Sequence, residues 1–115
     1  MQEDKLFDIK ACLLDIEQSI LEINDFMPVE RNYFAFQNDL KTRKAVERNI
    51  EIIGEAMDRI LKTDPDFKIT DSRKIVDTRN RIIHGYDSVS SDVIWLIVNR
   101  YLPILEIEVK ALLKQ

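Results

Sequence analysis

Near the start of the chain, apolar residues recur at alternating steps of three and four. Leu6, Ile9, Leu13, Ile16, Ile20 and Ile23 therefore line one face of a 3.6-residue helix. A strand would need alternation at every second position instead. Phe7, Leu14 and Leu21 widen the stripe, while Asp8, Lys10, Asp15, Glu17 and Gln18 fall largely outside it. The spacing predicts a helix from about Asp4 to Asn24. Its width predicts burial against more than one neighbour, as in a bundle.

The same periodicity returns three times. After an irregular stretch over 25–38, Val46, Ile50, Ile53, Met57 and Ile60 repeat at four, three, four and three, flanked by Ala45, Ala56 and Leu61. This second long helix begins at Asn38 or Asp39, either of which suits an N-cap, and ends at Thr63-Asp64-Pro65. Gly54 lies inside it at a cost of about 1 kcal/mol relative to Ala, so its expected use is the close approach of a neighbouring helix. Pro28 disfavours helical geometry at Met27 and stops the first helix before it. Tyr33, Phe34 and Phe36 then belong to a short helix or loop packed over the bundle. A third helix follows Asp71-Ser72, carries Ile75, Val76, Ile82 and Ile83, and closes at Gly85, a helix C-terminal glycine. Ser90, Ser91 or Asp92 caps a last helix from about Val93 to Leu113, which Pro103 should kink. The expected fold is all-α: an antiparallel bundle of four main helices with an accompanying short helix or loop.

Composition sets the outer limits. A chain of 115 residues has room for one domain spanning 1–115, and 45 % hydrophobic residues are enough for a core. Two glycines and three prolines are too few for the turns of an all-β fold. No stretch approaches the roughly 20 apolar residues that span a bilayer, and Met1-Gln2-Glu3-Asp4-Lys5 lacks the layout of a signal peptide. A single cysteine, Cys12, can form neither an internal disulfide nor a Cys-based zinc site. The expectation is a soluble cytosolic domain without a membrane, cofactor or structural metal. With 17 Lys plus Arg against 21 Asp plus Glu, the net charge of −4 argues against indiscriminate nucleic-acid binding. A local basic groove stays open.

The sequence has no Gly-rich phosphate loop, no His pair at metal spacing and no G-x-S-x-G elbow. The informative segment is Arg79-Asn80-Arg81-Ile82-Ile83-His84-Gly85-Tyr86. His84 is the only histidine, hence the only side chain that ordinarily titrates near neutrality. It is equally a residue that suits a helix C-terminus through the helix dipole. Arg79 brings a permanent charge and forked donors that clamp a phosphate, or it makes an ordinary surface ion pair. Residues five apart on a helix sit about 140° apart, so Arg79 and His84 do not share a face, whereas Asn80 and His84 do. Arg79 joins them only through its long reach, through termination of the helix, or from a second subunit. Asn80 can orient the imidazole or bind a phosphate oxygen, or simply stand as a polar surface residue.

Metal-free RNA cleavage needs a base at the 2′-hydroxyl and an acid at the leaving oxygen. One chain offers a single readily titrating group, and Arg does not release its proton. A two-fold dimer that places both segments in one cleft supplies two of each. Lys41, Lys44 and Arg48 form a basic stripe on the second long helix, and Glu47, Glu51 and Glu55 an acidic one beside it. Such stripes are ordinarily solvated faces. The carboxylates can pair with the basic residues or hold Arg79.

The Arg-x4-His-x-Tyr segment of Arg79, His84 and Tyr86 resembles the motif of the HEPN superfamily. Three further stretches resemble its HepT-like (DUF86) branch: Ala45-Val46-Glu47-Arg48-Asn49-Ile50-Glu51-Ile52-Ile53-Gly54-Glu55-Ala56, then His84-Gly85-Tyr86-Asp87, then Asp92-Val93-Ile94-Trp95 with Leu102-Pro103. They occur in the family's order and cover nearly the whole chain, although the segment between Pro65 and Ile75 matches poorly. The resemblance implies the toxin of a toxin–antitoxin pair, an all-helical homodimer that cuts RNA without metal, with the motif at the dimer interface. Arg79 and His84 correspond to the catalytic pair, Asn80 to the polar residue that often follows the motif arginine. Tyr86 corresponds to the tyrosine to which a cognate minimal nucleotidyltransferase antitoxin adds AMP, a bulky anion that would repel RNA phosphate. Tyr86 is equally suited to close the end of the bundle as a half-buried ring. A reading from another class is a non-catalytic helical subunit that binds substrate or nucleotide for that transferase, with Arg79 and His84 as phosphate ligands. A third is a plain structural dimer.

Overall fold

Six α-helices account for most of the chain in a computed structural model that describes residues 3–27, 30–84 and 90–115. They are α1 (Glu3–Phe26), α2 (Tyr33–Asn38), α3 (Leu40–Thr63), α4 (Ser72–Ile83), α5 (Ser91–Leu96) and α6 (Leu102–Leu113). Among the described residues there is no strand, as the periodicity requires. α3 is the middle of the structure, packed against α1 on one side and α4 on the other, and α6 lies against α1. The N-terminal part of α1 (Leu6, Ile9, Lys10, Leu13) shares a cleft with Leu112 and Leu113, and its C-terminal part (Ile20, Asn24) shares another with Val98 and Leu102, so α1 and α6 run antiparallel.

The core is built from the expected stripes. Ile9, Leu13, Ile16, Ile20 and Ile23 of α1 meet Val46, Ile50, Ile53, Met57 and Ile60 of α3, with Ile75 of α4 and Ile94, Leu105 and Val109 of the last helical stretch. Phe7, Leu14 and Leu21 do not widen the buried stripe as expected; all three are exposed, as is Leu6. Seven residues apart, they drift only about 20° per repeat and stay roughly 150° around the helix from the core line, too far for either neighbour to cover.

Caps fix where the helices begin. Asn32 starts α2, its side-chain oxygen accepting the Ala35 N–H at 2.9 Å. Asp39 ends α2, donating its N–H to the Phe36 carbonyl, and starts α3, accepting the Thr42 N–H at 3.1 Å and the Thr42 hydroxyl at 2.6 Å. α2 holds the expected aromatics over the bundle. Phe36 is buried against Trp95 and Tyr33 lies edge-on to the same ring, both with centroids 5.5 Å away, while the Tyr33 hydroxyl donates to the Asp92 carboxylate. Ser90 takes the N-cap position of α5, and Asp92 serves Tyr33 instead.

The last helical stretch departs from a single kinked helix. α5 and α6 are joined by a π-helical segment, Ile97–Tyr101, in which the Leu102 N–H reaches back five residues to the Ile97 carbonyl. The widened turn ends just before Pro103, whose ring removes an N–H from the continuous helical stretch and crowds the carbonyl of the preceding turn. The poorly matching stretch before α4 is tied down by Glu108, whose carboxylate accepts the Thr70 N–H at 3.3 Å and the Thr70 hydroxyl at 3.2 Å. The described helices include none long and apolar enough to cross a membrane.

The Asp39 cap makes a pH prediction. Hydrogen bonds from the Thr42 side chain and backbone hold the Asp39 carboxyl below its ordinary value of 3.8. A lowered folded pKa adds stability that is fully present above the unfolded value and is lost as pH falls through the folded one. Asp39→Asn keeps a capping acceptor but not the charge. In helical circular dichroism with denaturant, the wild-type advantage over Asp39→Asn should be constant above about pH 5 and shrink below the ordinary carboxylate range.

Candidate active site

α4 is held by burying Ile75 and Val76, and the periodicity of that contact turns Arg79, four residues after Ile75, toward α3. Gly54 stands opposite. A Cβ at Gly54 would lie 2.2 Å from the Arg79 Cβ, 2.8 Å from its Cγ and 3.2 Å from the Ile75 carbonyl oxygen. The close approach expected of this glycine is therefore made, and the chain it admits is the stem of the motif arginine. Thr78, also buried, donates its hydroxyl to the Lys74 carbonyl at 2.8 Å.

From that seat Arg79 bends along its own helix. Its Nη1 donates to the Asn80 side-chain oxygen at 2.7 Å, while the Asn80 backbone carbonyl accepts the N–H of His84 at 3.1 Å. Asn80 thus receives the guanidinium on its side chain, while its carbonyl makes the ordinary backbone bond of the last helical turn. The Arg79 Nε is buried and has no acceptor among the described residues. Steric fit against Gly54, rather than a partner for every donor, sets where this side chain lies. An unpaired buried donor costs about 1–3 kcal/mol, so the arrangement is held against a local penalty.

His84 is the C-cap of α4 and is exposed. That position sets the imidazole at the negative end of the helix dipole and open to solvent. Gly85, expected to close this helix, and Tyr86 lie outside the described residues. Of the alternatives for the charged stripes on α3, pairing within the stripe prevails. Lys44 meets Glu47 at 3.5 Å and Arg48 meets Glu51 at 3.2 Å, and no carboxylate among the described residues reaches ion-pair distance of Arg79. The sequence pointed to Gly54 only as a site of helix approach. Its bearing on Arg79 lay in the pairing of α3 with α4, which periodicity does not specify.

An all-helical bundle with an Arg-x4-His-x-Tyr segment at the end of one helix has the layout of a HEPN-type domain. The chain belongs to the ribonuclease HepT-like family, whose profile matches residues 16–112. It is 36 % identical over 101 residues to the probable ribonuclease HepT of Thermococcus cleftensis, covering 84 % of this chain and 88 % of the relative. Two Methanocaldococcus jannaschii proteins named as putative RNases, MJ0127 and MJ1380, are each 34 % identical to it. The matches span 88 % and 90 % of this chain and 85 % and 94 % of the relatives. No solved structure matches.

Gly54→Ala tests the seat. The added methyl must displace Arg79, and overpacking of this kind costs about 1–3 kcal/mol, opposed by about 1 kcal/mol of helix propensity. Chemical denaturation should show a net loss in the wild-type background. In an Arg79→Gly background, where the Cβ it meets is gone, the same change should be neutral or stabilising.

Proposed function

We propose that the chain is a metal-independent endoribonuclease, the toxin of a toxin–antitoxin pair that acts on RNA in the cytoplasm. In this reading it works as a homodimer whose two motif segments share one cleft. A cognate minimal nucleotidyltransferase silences it by attaching AMP to Tyr86. Membership of the HepT-like family and relatives named as RNases support the reaction class. The observation that supports the assignment to residues is the Arg79 guanidinium held on the Asn80 side chain, about one helical turn before the exposed His84.

The chemistry follows from what each group does with a proton. His84 takes the proton of the RNA 2′-hydroxyl as its oxygen attacks the neighbouring phosphorus. Arg79, which stays charged, stabilises the negative charge that builds on the phosphoryl oxygens. Asn80 is a positioning residue that aims the guanidinium and, through its carbonyl, fixes the backbone that carries the imidazole. The leaving 5′-oxygen needs a proton that Arg79 does not release, and a dimeric cleft supplies it from His84 of the partner subunit or from water. AMP on Tyr86, two residues beyond His84, adds a phosphate charge where substrate phosphate must enter.

Purified protein in EDTA should cleave a mixed RNA pool, and His84→Ala and Arg79→Ala should each lower the rate by about 10²-fold or more. Cleavage surviving in His84→Ala would place the activity elsewhere, and an inert unmodified wild type would favour a binding subunit of the transferase. Separately, co-expression with the adjacent nucleotidyltransferase should add the mass of AMP, and Tyr86→Phe should abolish the adduct. An adduct on the Phe variant would move the acceptor to another residue.

A further inference from the structure

The outer face of α1 carries an apolar line with no cover. Phe7, Leu14 and Leu21 are 74 %, 49 % and 45 % exposed, and Ile107 on the adjoining α6 is 71 % exposed. Together they expose on the order of 450 Å² of apolar side chain, at the level of the largest patch on a typical monomer and about half of what a standard interface removes from each partner. Scattered apolar residues need no explanation, but Phe7, Leu14 and Leu21 stand one per heptad on a single face of a 24-residue helix.

The order of residues along that line identifies the occupant. Leu14 is at its midpoint, with Phe7 seven residues before it and Leu21 seven after. On the flank facing α6, Lys10 lies four residues before Leu14 and Glu17 three after. A two-fold axis through Leu14 therefore sets two copies of α1 antiparallel with Leu14 on Leu14 and Phe7 on Leu21. It also brings Lys10 of each copy level with Glu17 of the partner subunit, on the same flank. Neither Lys10 nor Glu17 has a salt bridge among the described residues. Ile107 adds to this flank: the antiparallel arrangement puts it beside the middle of α1, where α6 would extend the contact.

We infer that α1 is a homotypic docking surface on which a second copy of this chain pairs antiparallel about Leu14. α4 lies beyond α3 from α1, so this contact is separate from the motif and from the cleft proposed for it. A chain with two different two-fold contacts assembles past the dimer, into a closed tetramer or an open row according to how the axes meet.

Mass photometry and sedimentation of the full chain test this without reference to nuclease activity. Leu14→Glu should reduce the mass of the assembly by half or more with helical content unchanged. Lys10→Glu should weaken association roughly tenfold, since two attractive pairs become repulsive, and Lys10→Glu with Glu17→Lys should restore it. Leu14→Cys should give a disulfide-linked pair on mild oxidation, the native Cys12 being buried and inert. An unchanged mass for Leu14→Glu, no cross-link through Leu14→Cys, or failure of the charge swap to restore association would each overturn the inference. A wild type that is monomeric, or dimeric but broken only by changes on α4, would overturn it as well.

Discussion

α3 is the one helix that must be satisfied from two sides. Val46, Ile50, Ile53, Met57 and Ile60 give it a face for α1, and Gly54 gives it a hollow for α4. The two demands conflict at short range, because a helix wide enough to fill the space toward α1 would ordinarily hold α4 away. Deleting one side chain resolves the conflict locally. α4 then comes close enough to bury Ile75, and the arginine one turn later is pressed into the space the glycine leaves. The position of Arg79 is thus a by-product of core packing, and the side-chain amide of its neighbour Asn80 receives the guanidinium.

Such a design places a reactive charge by sterics rather than by pairing. A carboxylate beside Arg79 would have fixed it by pairing, but it would also have neutralised its charge. Glu47 and Glu51 of α3 are occupied instead with Lys44 and Arg48 of their own helix, where a pair at i,i+3 is worth only about a few tenths of a kcal/mol. Their effect is to keep that face quiet rather than to hold the fold.

The long helices were legible because their apolar residues recur with the helical period, and Asp39 was legible as a cap because few residues accept an N–H at a helix start. What escaped was whatever depends on the pairing of distant elements. Nothing in the local pattern links Tyr33 to Asp92, Thr70 to Glu108, or Gly54 to Arg79 in particular. Phe7, Leu14 and Leu21 misled for the opposite reason: they have the hydrophobicity of core residues and a spacing that satisfies a helix, but their angle belongs to another surface. Arg79, Asn80 and His84 stand out by type and spacing, while how Arg79 turns toward Asn80 needed the side-chain path.

The π-helical segment has a consequence for the register of the chain. Ile94, Val98 and Leu102 are all buried although they follow one another at two successive steps of four, which in an α-helix would carry the third residue about 80° away from the first. The wide turn works as a phase corrector, taking up that excess rotation before Leu105 and Val109 resume the ordinary count. Segment Ile97–Tyr101 therefore holds one residue more than an α-helical path between the same two ends would need. Removing one of its residues would convert the turn to α geometry and leave α6 facing the core as it does, whereas tightening the turn with every residue kept would rotate α6 by about 100°, swinging Leu105 and Val109 out of the core and Glu108 away from Thr70.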